Sequence, residues 1–239
     1  MRLNEEMRTR LAAYAATARW PAGFAVYQRG AAADGIFVVL SGSVVLRTRL
    51  KSGRAFVPAL LTAGEVFGVE GLAPGAAYQT DASAEAEAQT LHLSRLRLRT
   101  LMRERPEEAL ALVAQVADAH GIVLDRLREL AMMSVEQRLL GAVARMRAAR
   151  ADTPPDEPIV FDAAGYRLLC EMVGATRESV SLVVNRLVGS GQASRDGANV
   201  AIKPTAGRRG GRGAAEDEDD DRTDRERPLA SSNEGPRAG

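Results

Sequence analysis

Short apolar runs separated by glycine fill the N-terminal part of the chain, from residue 19 to about residue 100. Each run is followed or preceded by turn-forming residues, and the runs lie at 24–27, 36–40, 44–46, 56–61 and 90–93. Strands this short at this spacing predict a small barrel or roll. The preceding segment, Glu5 to Thr17, predicts a short helix.

The pattern becomes helical at Pro106, where a proline and two glutamates occupy the first turn, as helix N-termini favour. Apolar positions then recur at alternating steps of four and three residues, at Val113, Val116, His120, Val123, Leu127 and Leu130. This narrow seam, kept over roughly three heptads, predicts a helix of about 25 residues that packs on a partner helix. A buried helix within one domain is the alternative.

A shorter helix is predicted from Val135 to about Arg150, and a proline-rich loop follows. Beyond the loop, two apolar faces flank Gly174, a residue that permits a tight turn. The faces consist of Leu169, Cys170 and Val173 before the turn and Val180, Val183 and Leu187 after it. This arrangement predicts a helix-turn-helix, although an ordinary helical hairpin would show the same pattern.

The second helix of this unit would present polar side chains that can bind DNA. Arginine can bind guanine with two hydrogen bonds, and glutamate can accept one from cytosine. A hairpin at 191–202, with its tip at 196–197, predicts a wing that brings an arginine to a phosphate. The predicted DNA-binding residues are Thr176, Arg177, Glu178, Ser181, Leu182, Asn185 and Arg195.

The composition limits which kinds of binding site the chain can form. The chain has 32 basic and 31 acidic residues, a formal net charge of +1, so any nucleic-acid surface must be local. One cysteine, Cys170, and two histidines exclude an internal disulfide framework and a four-cysteine metal site. We interpret Cys170 as a small buried hydrophobic residue and not as a redox sensor.

The distribution of apolar and charged residues predicts where the protein is found in the cell and how its C-terminal segment behaves. No apolar run reaches the roughly 18 residues that a membrane span needs, and the N-terminus is polar where a signal peptide would be apolar. The sequence therefore predicts a cytoplasmic protein without a membrane partner. Residues 206–239 run from an Arg/Gly-rich stretch into an acidic one and are predicted to be disordered. That acidic stretch either competes with DNA for the winged helix or only aids solubility.

The order of these parts resembles the Crp/Fnr family of bacterial transcription regulators over about residues 10 to 203. The segment GEVFG at 64–68, with Leu72, is similar to the start of the family's phosphate cassette. LAMMS at 130–134 is similar to its hinge, and GATRESVS at 174–181 to its recognition-helix signature. The resemblance implies a homodimer with a cyclic-nucleotide-type β-roll, a long coiled-coil helix and a winged helix-turn-helix. It also implies that Arg177, Glu178 and Ser181 read bases.

Departures from the cAMP-binding members concern the effector pocket. Where those members place a ribose-binding glutamate after Gly68, this chain has Val69, and Glu70 follows. Where they carry Arg-Ser to bind the phosphate, the corresponding pair is Gln79-Thr80, which lacks the positive charge that arginine supplies.

The helix positions that would reach the adenine align with Val123 and Leu124, where cAMP binders have hydroxyl groups. We therefore expect no control by cAMP, and an effector of unknown chemistry or none. Haem ligation is not expected either, because His120 falls on the predicted seam and His92 is predicted to point to solvent.

These observations together predict an α+β chain with no cofactor and no catalytic or metal-binding residues. Its predicted parts are a double-stranded, jelly-roll-like β-roll at 1–105, a dimerisation helix at 106–133, a winged helix-turn-helix at 134–205 and the tail at 206–239. The predicted function is sequence-specific binding of double-stranded DNA by a homodimer that activates RNA polymerase. The alternatives are a cAMP-responsive regulator and a signalling module without DNA binding. An enzyme is disfavoured, because no phosphate loop, nucleophile elbow or HExxH pair occurs.

Overall fold

The computed structural model describes residues 2–150, 154 and 156–204. The helices are α1 (Glu5–Ala12), α2 (Arg95–Glu104), α3 (Pro106–Met132), α4 (Val135–Ala149), α5 (Ala163–Val173) and α6 (Arg177–Gly189). The first strands are β1 (Ala16–Trp20), β2 (Ala25–Tyr27), β3 (Gly35–Ser41), β4 (Ser43–Arg49), β5 (Ala55–Thr62) and β6 (Val66–Phe67). The others are β7 (Asp81–Ala84), β8 (Ala88–Ser94), β9 (Ile159–Phe161), β10 (Ala193–Asp196) and β11 (Asn199–Ile202). The prediction for residues 206–239 lies outside the described part.

Two antiparallel sheets form the N-terminal roll. One has the strand order β1-β8-β3-β6 and the other the order β2-β7-β4-β5. The single residue between β3 and β4, Gly42, has a φ of 71° and lets the chain pass directly from one sheet to the other. The predicted roll is thereby confirmed, and the fold is the expected α+β arrangement.

Alternation along β3 shows how the roll builds two cores at once. Phe37 and Val39 point between the two sheets, into a cluster of aromatic and small residues. Ile36 and Val38 point to the opposite face, where α1, α2 and the start of α3 cover the sheet. Because successive side chains of a strand face opposite ways, a strand buried on both faces becomes a continuous apolar run.

The β4–β5 pair is also buried on both faces, but its outer face belongs to a different core. Val44 and Leu61 pack inside the roll. Val45 and Val57 pack instead with residues of the C-terminal helices. A register shift between Leu46 and Thr48 marks an irregularity in this strand pair, opposite the stretch that contains a proline at position 58.

The roll differs from the predictions at the end of α1 and in elements that no apolar run predicted, namely α2, β6 and β7. The first helix ends at Ala12, and residues 16 and 17 begin β1, which pairs with β8. Residues 95–104 form a helix that the sequence analysis did not predict, capped by Ser94, whose hydroxyl accepts a hydrogen bond from the Arg97 amide. Arginine and leucine alternate in its first five residues, a pattern that is closer to a strand than to a helix.

The helical half agrees with the predictions. The long helix α3 begins at Pro106 with Glu107 and Glu108 in its first turn. A capping box at Ser134 and Gln137 starts α4, because each side chain accepts the other residue's backbone N–H. The wing hairpin β10–β11 has its turn at 197–198, one residue later than predicted, because Asp196 still pairs with Asn199. β9 extends the hairpin to a three-stranded sheet. β9 was not predicted, because a three-residue strand has almost no periodicity.

The turn between α5 and α6 gives a stability prediction. Gly174 has a φ of +66°, and an added Cβ would lie 3.0 Å from Leu130 Cδ2 and 3.2 Å from the Phe56 ring. Gly174→Ala should therefore lower the free energy of unfolding by about 1–3 kcal/mol, measured by urea denaturation.

The matched control is Gly189→Ala. Gly189 ends α6, and an added Cβ there has nothing within 4 Å. This substitution should leave stability unchanged or raise it by up to about 1 kcal/mol. Equal losses in both variants would contradict the account of Gly174.

Candidate nucleic-acid interface and effector pocket

Helix α6 starts from a well-defined N-cap. The Thr176 side chain accepts a hydrogen bond from the Ser179 amide, 3.3 Å away, and its hydroxyl lies 3.0 Å from the Ser179 hydroxyl. The inner face of the helix, Val180, Val183, Val184 and Leu187, is buried. This packing fixes which side chains face outward.

The outward side of α6 carries most of the predicted DNA-binding residues. Arg177 and Glu178 lie exposed in the first turn, and Asn185 lies exposed two turns later. Leu182 is 67% exposed between them. An apolar side chain left in solvent on this face suits contact with a thymine methyl group.

The sequence analysis predicted that Ser181 points outward, but the structure shows it only partly exposed. It is half-buried, and its hydroxyl lies 3.1 Å from the hydroxyl of Tyr166 on α5. The guanidinium carbon of Arg177 lies 5.8 Å from the centre of the same tyrosine ring. Sequence reasoning missed Tyr166 as a site residue, because an aromatic residue on the buried face of α5 gives no signal beyond core packing.

The wing supplies a separate polar group. Arg195 lies exposed on β10, next to the turn of the hairpin, where Gly197 has a φ of 56°. A two-residue turn with a positive φ at its first position is the kind that joins tightly paired strands. Arg195 thus lies near the tip of a short two-stranded hairpin.

Helix α5 is bound at its C-terminal end by arginines from two other helices. The Arg126 guanidinium, on α3, donates to the Met172 carbonyl, and Arg138, on α4, donates to the Val173 carbonyl at 3.0 Å. Arg126 is only 4% exposed and lies over the Phe56 ring. Burial, together with the nearby charge of Arg145, lowers the pKa of Arg126.

A part-buried ion pair also joins the roll to α5. Arg47 Nε on β4 lies 2.8 Å from Glu171 Oε2, and both side chains are mostly buried. Glu129 on α3 accepts from Arg145 at 2.7 Å and also pairs with Arg126. Sequence reasoning did not identify the Arg47–Glu171 pair, because its partners lie far apart along the chain, by 124 positions.

Aromatic rings fill the interior of the roll beside Gly68. Tyr27 and Tyr78 stack at 3.8 Å between ring centres, and Phe37 and Phe67 stack at 5.1 Å. A Cβ at Gly68, which has a φ of 68°, would lie 3.1 Å from Phe37 and 3.2 Å from Tyr78. The predicted pocket residue Gly68 is therefore enclosed by rings.

The other predicted pocket residues form a small hydrogen-bonded group. Glu70 Oε1 accepts a hydrogen bond from the Gln79 backbone amide at 3.1 Å. The Gln79 side chain turns back to donate to the Ala77 carbonyl at 2.9 Å. Thr80 bonds to Tyr27, and burial raises the pKa of that tyrosine. The Glu70 carboxylate thus already accepts the hydrogen bond of the Gln79 backbone amide. Val69 is half-buried and packs against the helix-covered side of the roll.

The remaining predicted positions lie elsewhere. Val123 and Leu124 are exposed on α3, as is His120. The prediction that His92 points to solvent is wrong. Its ring stacks on Phe37 at 4.6 Å between ring centres, and its Nε2 lies 3.2 Å from Asp34 Oδ1.

The predicted seam is an exposed apolar stripe in the single chain. Val113 is 58% and Leu127 is 62% exposed, and Leu130 is also exposed. Val116 is half-buried. Elsewhere on α3, Leu112 is buried against the roll, whereas Ile122 is 38% exposed. The N-terminal part of α3 therefore packs on the roll, and the predicted seam is left exposed.

Comparison with known proteins agrees with this architecture. Residues 17–105 match the cyclic nucleotide-binding domain. The cAMP-activated global transcriptional regulator CRP of Haemophilus influenzae is 24% identical over 171 residues, which are 71% of this chain and 75% of that protein.

Two solved structures share the fold. The c-di-GMP-responsive global regulator CLP of Xanthomonas campestris has a TM-score of 0.67 at 20% identity, covering 84% of this chain and 100% of that one. A Crp/Fnr family transcriptional regulator of Thermus thermophilus has a TM-score of 0.64 at 22% identity, covering 78% of this chain and 93% of that one. The resemblance expected from the motifs is confirmed. No helix in the described part of the chain is both long and apolar enough to span a membrane.

Cys170 gives a prediction that tests the packing behind the interface. The residue is buried in the core of the C-terminal helices, and burial raises the pKa of its thiol to about 11. The folded protein should therefore hold a neutral thiol and react slowly with iodoacetamide at about pH 8, whereas the urea-unfolded protein reacts readily.

The raised pKa of the Cys170 thiol also makes the stability of the folded protein depend on pH. The neutral thiol's contribution to folding stability is complete below the pKa of the unfolded thiol, and it is lost as the pH rises toward about 11. The chain has one cysteine, so the labelling reports a single site. Equal labelling rates for folded and unfolded protein would contradict burial of this thiol.

Proposed function

We propose that this chain, which has the fold of the Crp/Fnr family and a cyclic nucleotide-binding domain at residues 17–105, is a sequence-specific transcription regulator. It would bind double-stranded DNA in the cytoplasm and act without catalysis. The observation that carries the proposal is the helix-turn-helix, whose second helix exposes Arg177 and Glu178 while its opposite face is buried. A wing with an exposed Arg195 supports it.

Base reading and affinity would come from different residues. Arg177 and Glu178, at the N-terminal end of α6, suit hydrogen bonds to guanine and cytosine in the major groove. Thr176 and Arg195 suit contacts with phosphates, which position the helix without reading sequence. Leu182 and Asn185 extend the reading face by two turns. Since phosphate contacts supply much of the affinity, binding should weaken steeply as salt rises.

The protein would act as a homodimer joined through the seam of α3. The exposed stripe that includes Val113, Val123, Leu127 and Leu130 supports this, because a second copy would cover it. His120 lies within the stripe. Two recognition helices would then enter successive major grooves about 34 Å apart and read a two-fold symmetric site. The resemblance to the family leads us to infer activation of RNA polymerase as the mode of action.

We also infer that DNA binding does not need cAMP. Stacked rings fill the roll beside Gly68, and the backbone amide of Gln79 is already bound by the Glu70 carboxylate. An anionic phosphate would be repelled by this carboxylate and would find no arginine at position 79. An effector of another class, or none, would then control activity.

The test is selection of bound fragments from random duplex DNA by the purified protein, in parallel with and without cAMP. We expect the same two-fold symmetric site in both arms. Enrichment only with cAMP would contradict cAMP independence and identify a cAMP-responsive regulator. No enrichment in either arm would contradict DNA reading and favour a signalling module.

The homodimer gives a separate prediction. Leu127→Arg places like charges at a symmetric seam and removes two leucines from it, each worth about 1.5–3 kcal/mol when buried. The wild-type protein should sediment as a dimer and the variant as a monomer, with the fold retained because Leu127 is 62% exposed within the chain.

The matched control is Leu96→Arg. Leu96 is an exposed leucine on α2, outside the seam, so this variant should remain a dimer. A monomeric wild-type protein, or a Leu127→Arg variant that stays dimeric, would contradict the seam.

A further inference from the structure

We infer that Ser181 reads a base beside Arg177, and that Tyr166 is a positioning residue that sets the orientation of both side chains. This inference rests on the proposed DNA-binding function. It concerns a residue of α5, the helix before the recognition helix, and it assigns different tasks to the hydroxyl and to the ring.

The tyrosine is itself held in place. Its side chain is 5% exposed, within the core of the C-terminal helices. Its backbone amide donates to the Asp162 carbonyl at 2.8 Å, in a first turn where the Asp162 side chain caps the Gly165 amide at 2.7 Å. A buried side chain on a capped turn is a fixed reference point for more mobile groups nearby.

The ring provides a platform for Arg177. The guanidinium carbon lies 5.8 Å from the ring centre, within the range in which an aromatic face attracts a cation. Arg177 is otherwise exposed and is the first residue of α6. A free arginine loses much rotamer freedom when it binds a base, so a partial restraint before binding reduces that loss.

The hydroxyl orients Ser181. The two hydroxyl oxygens lie 3.1 Å apart, and a phenol is a stronger donor than an alcohol. With Tyr166 donating, the Ser181 oxygen accepts and its own hydrogen is free to donate to a base acceptor. Ser181 would then read an acceptor such as guanine O6 or thymine O4 and would discriminate against a donor.

Two substitutions separate these tasks. Tyr166→Phe removes only the hydroxyl, whereas Tyr166→Leu removes the hydroxyl and the ring but keeps an apolar side chain in the core. Ser181→Ala and Arg177→Ala serve as references, because each identifies the base position that its own side chain reads. The measurement is base preference at every position of the selected site, by competition binding, together with affinity for scrambled DNA.

We expect Tyr166→Phe to reduce the preference at the Ser181 position about 2- to 10-fold and to leave the Arg177 position unchanged. Tyr166→Leu should reduce the preference at both. Affinity for scrambled DNA should stay unchanged in both variants, since phosphate contacts are not altered. A merely structural role would instead weaken binding to all sequences alike.

The control is Tyr14→Phe, which removes a tyrosine hydroxyl that lies 3.0 Å from Glu104 in the roll and should change no base preference. Unchanged preference at the Ser181 position in Tyr166→Phe would overturn the inference, and so would a uniform loss over all positions. If Tyr166→Leu fails to fold, the Tyr166→Phe result decides alone. A wild-type protein without any base preference would overturn the proposed function itself, which is a distinguishable result.

Discussion

The position of α6 depends on the C-terminal end of α5, where arginines from two other helices bind the backbone. Arg126 of α3 donates to the Met172 carbonyl and Arg138 of α4 to the Val173 carbonyl. The last carbonyls of a helix have no partner within it, and buried ones need another donor. These carbonyls directly precede the turn at Gly174. The direction in which α6 leaves that turn is therefore linked to α3, the helix that carries the exposed seam.

A shared core connects the roll to the same unit. Val45 and Val57 of the β4–β5 pair pack with the C-terminal helices, and the Arg47–Glu171 ion pair lies beside them. Removing one partner of this part-buried pair would leave the other charge without its counterion. A change in the roll would therefore reach α5 through side chains that are packed and paired. The shared core and the ion pair therefore link the roll physically to α5.

The filled interior of the roll changes how control by a ligand would work. A ligand shifts a conformational equilibrium only by its difference in affinity for the two states. In this chain, stacked rings and the Glu70–Gln79 hydrogen bond already hold the region around Gly68 in one arrangement. The Glu70 carboxylate already accepts the hydrogen bond of the Gln79 backbone amide. Our proposal that cAMP is not needed rests on this arrangement.

Local pattern was sufficient for the long helix α3, the helix-turn-helix and most strands, because periodicity and capping depend on residues a few positions apart. It failed for α2, where alternating arginine and leucine resemble a strand, and for the short strands β6, β7 and β9, which exist through pairing with other strands. Only the tertiary structure placed Tyr166 against Arg177 and Ser181, or joined Arg47 to Glu171, 124 positions away. Such contacts depend on how whole elements pack, and a side chain's neighbours across that packing leave no mark on the sequence around it.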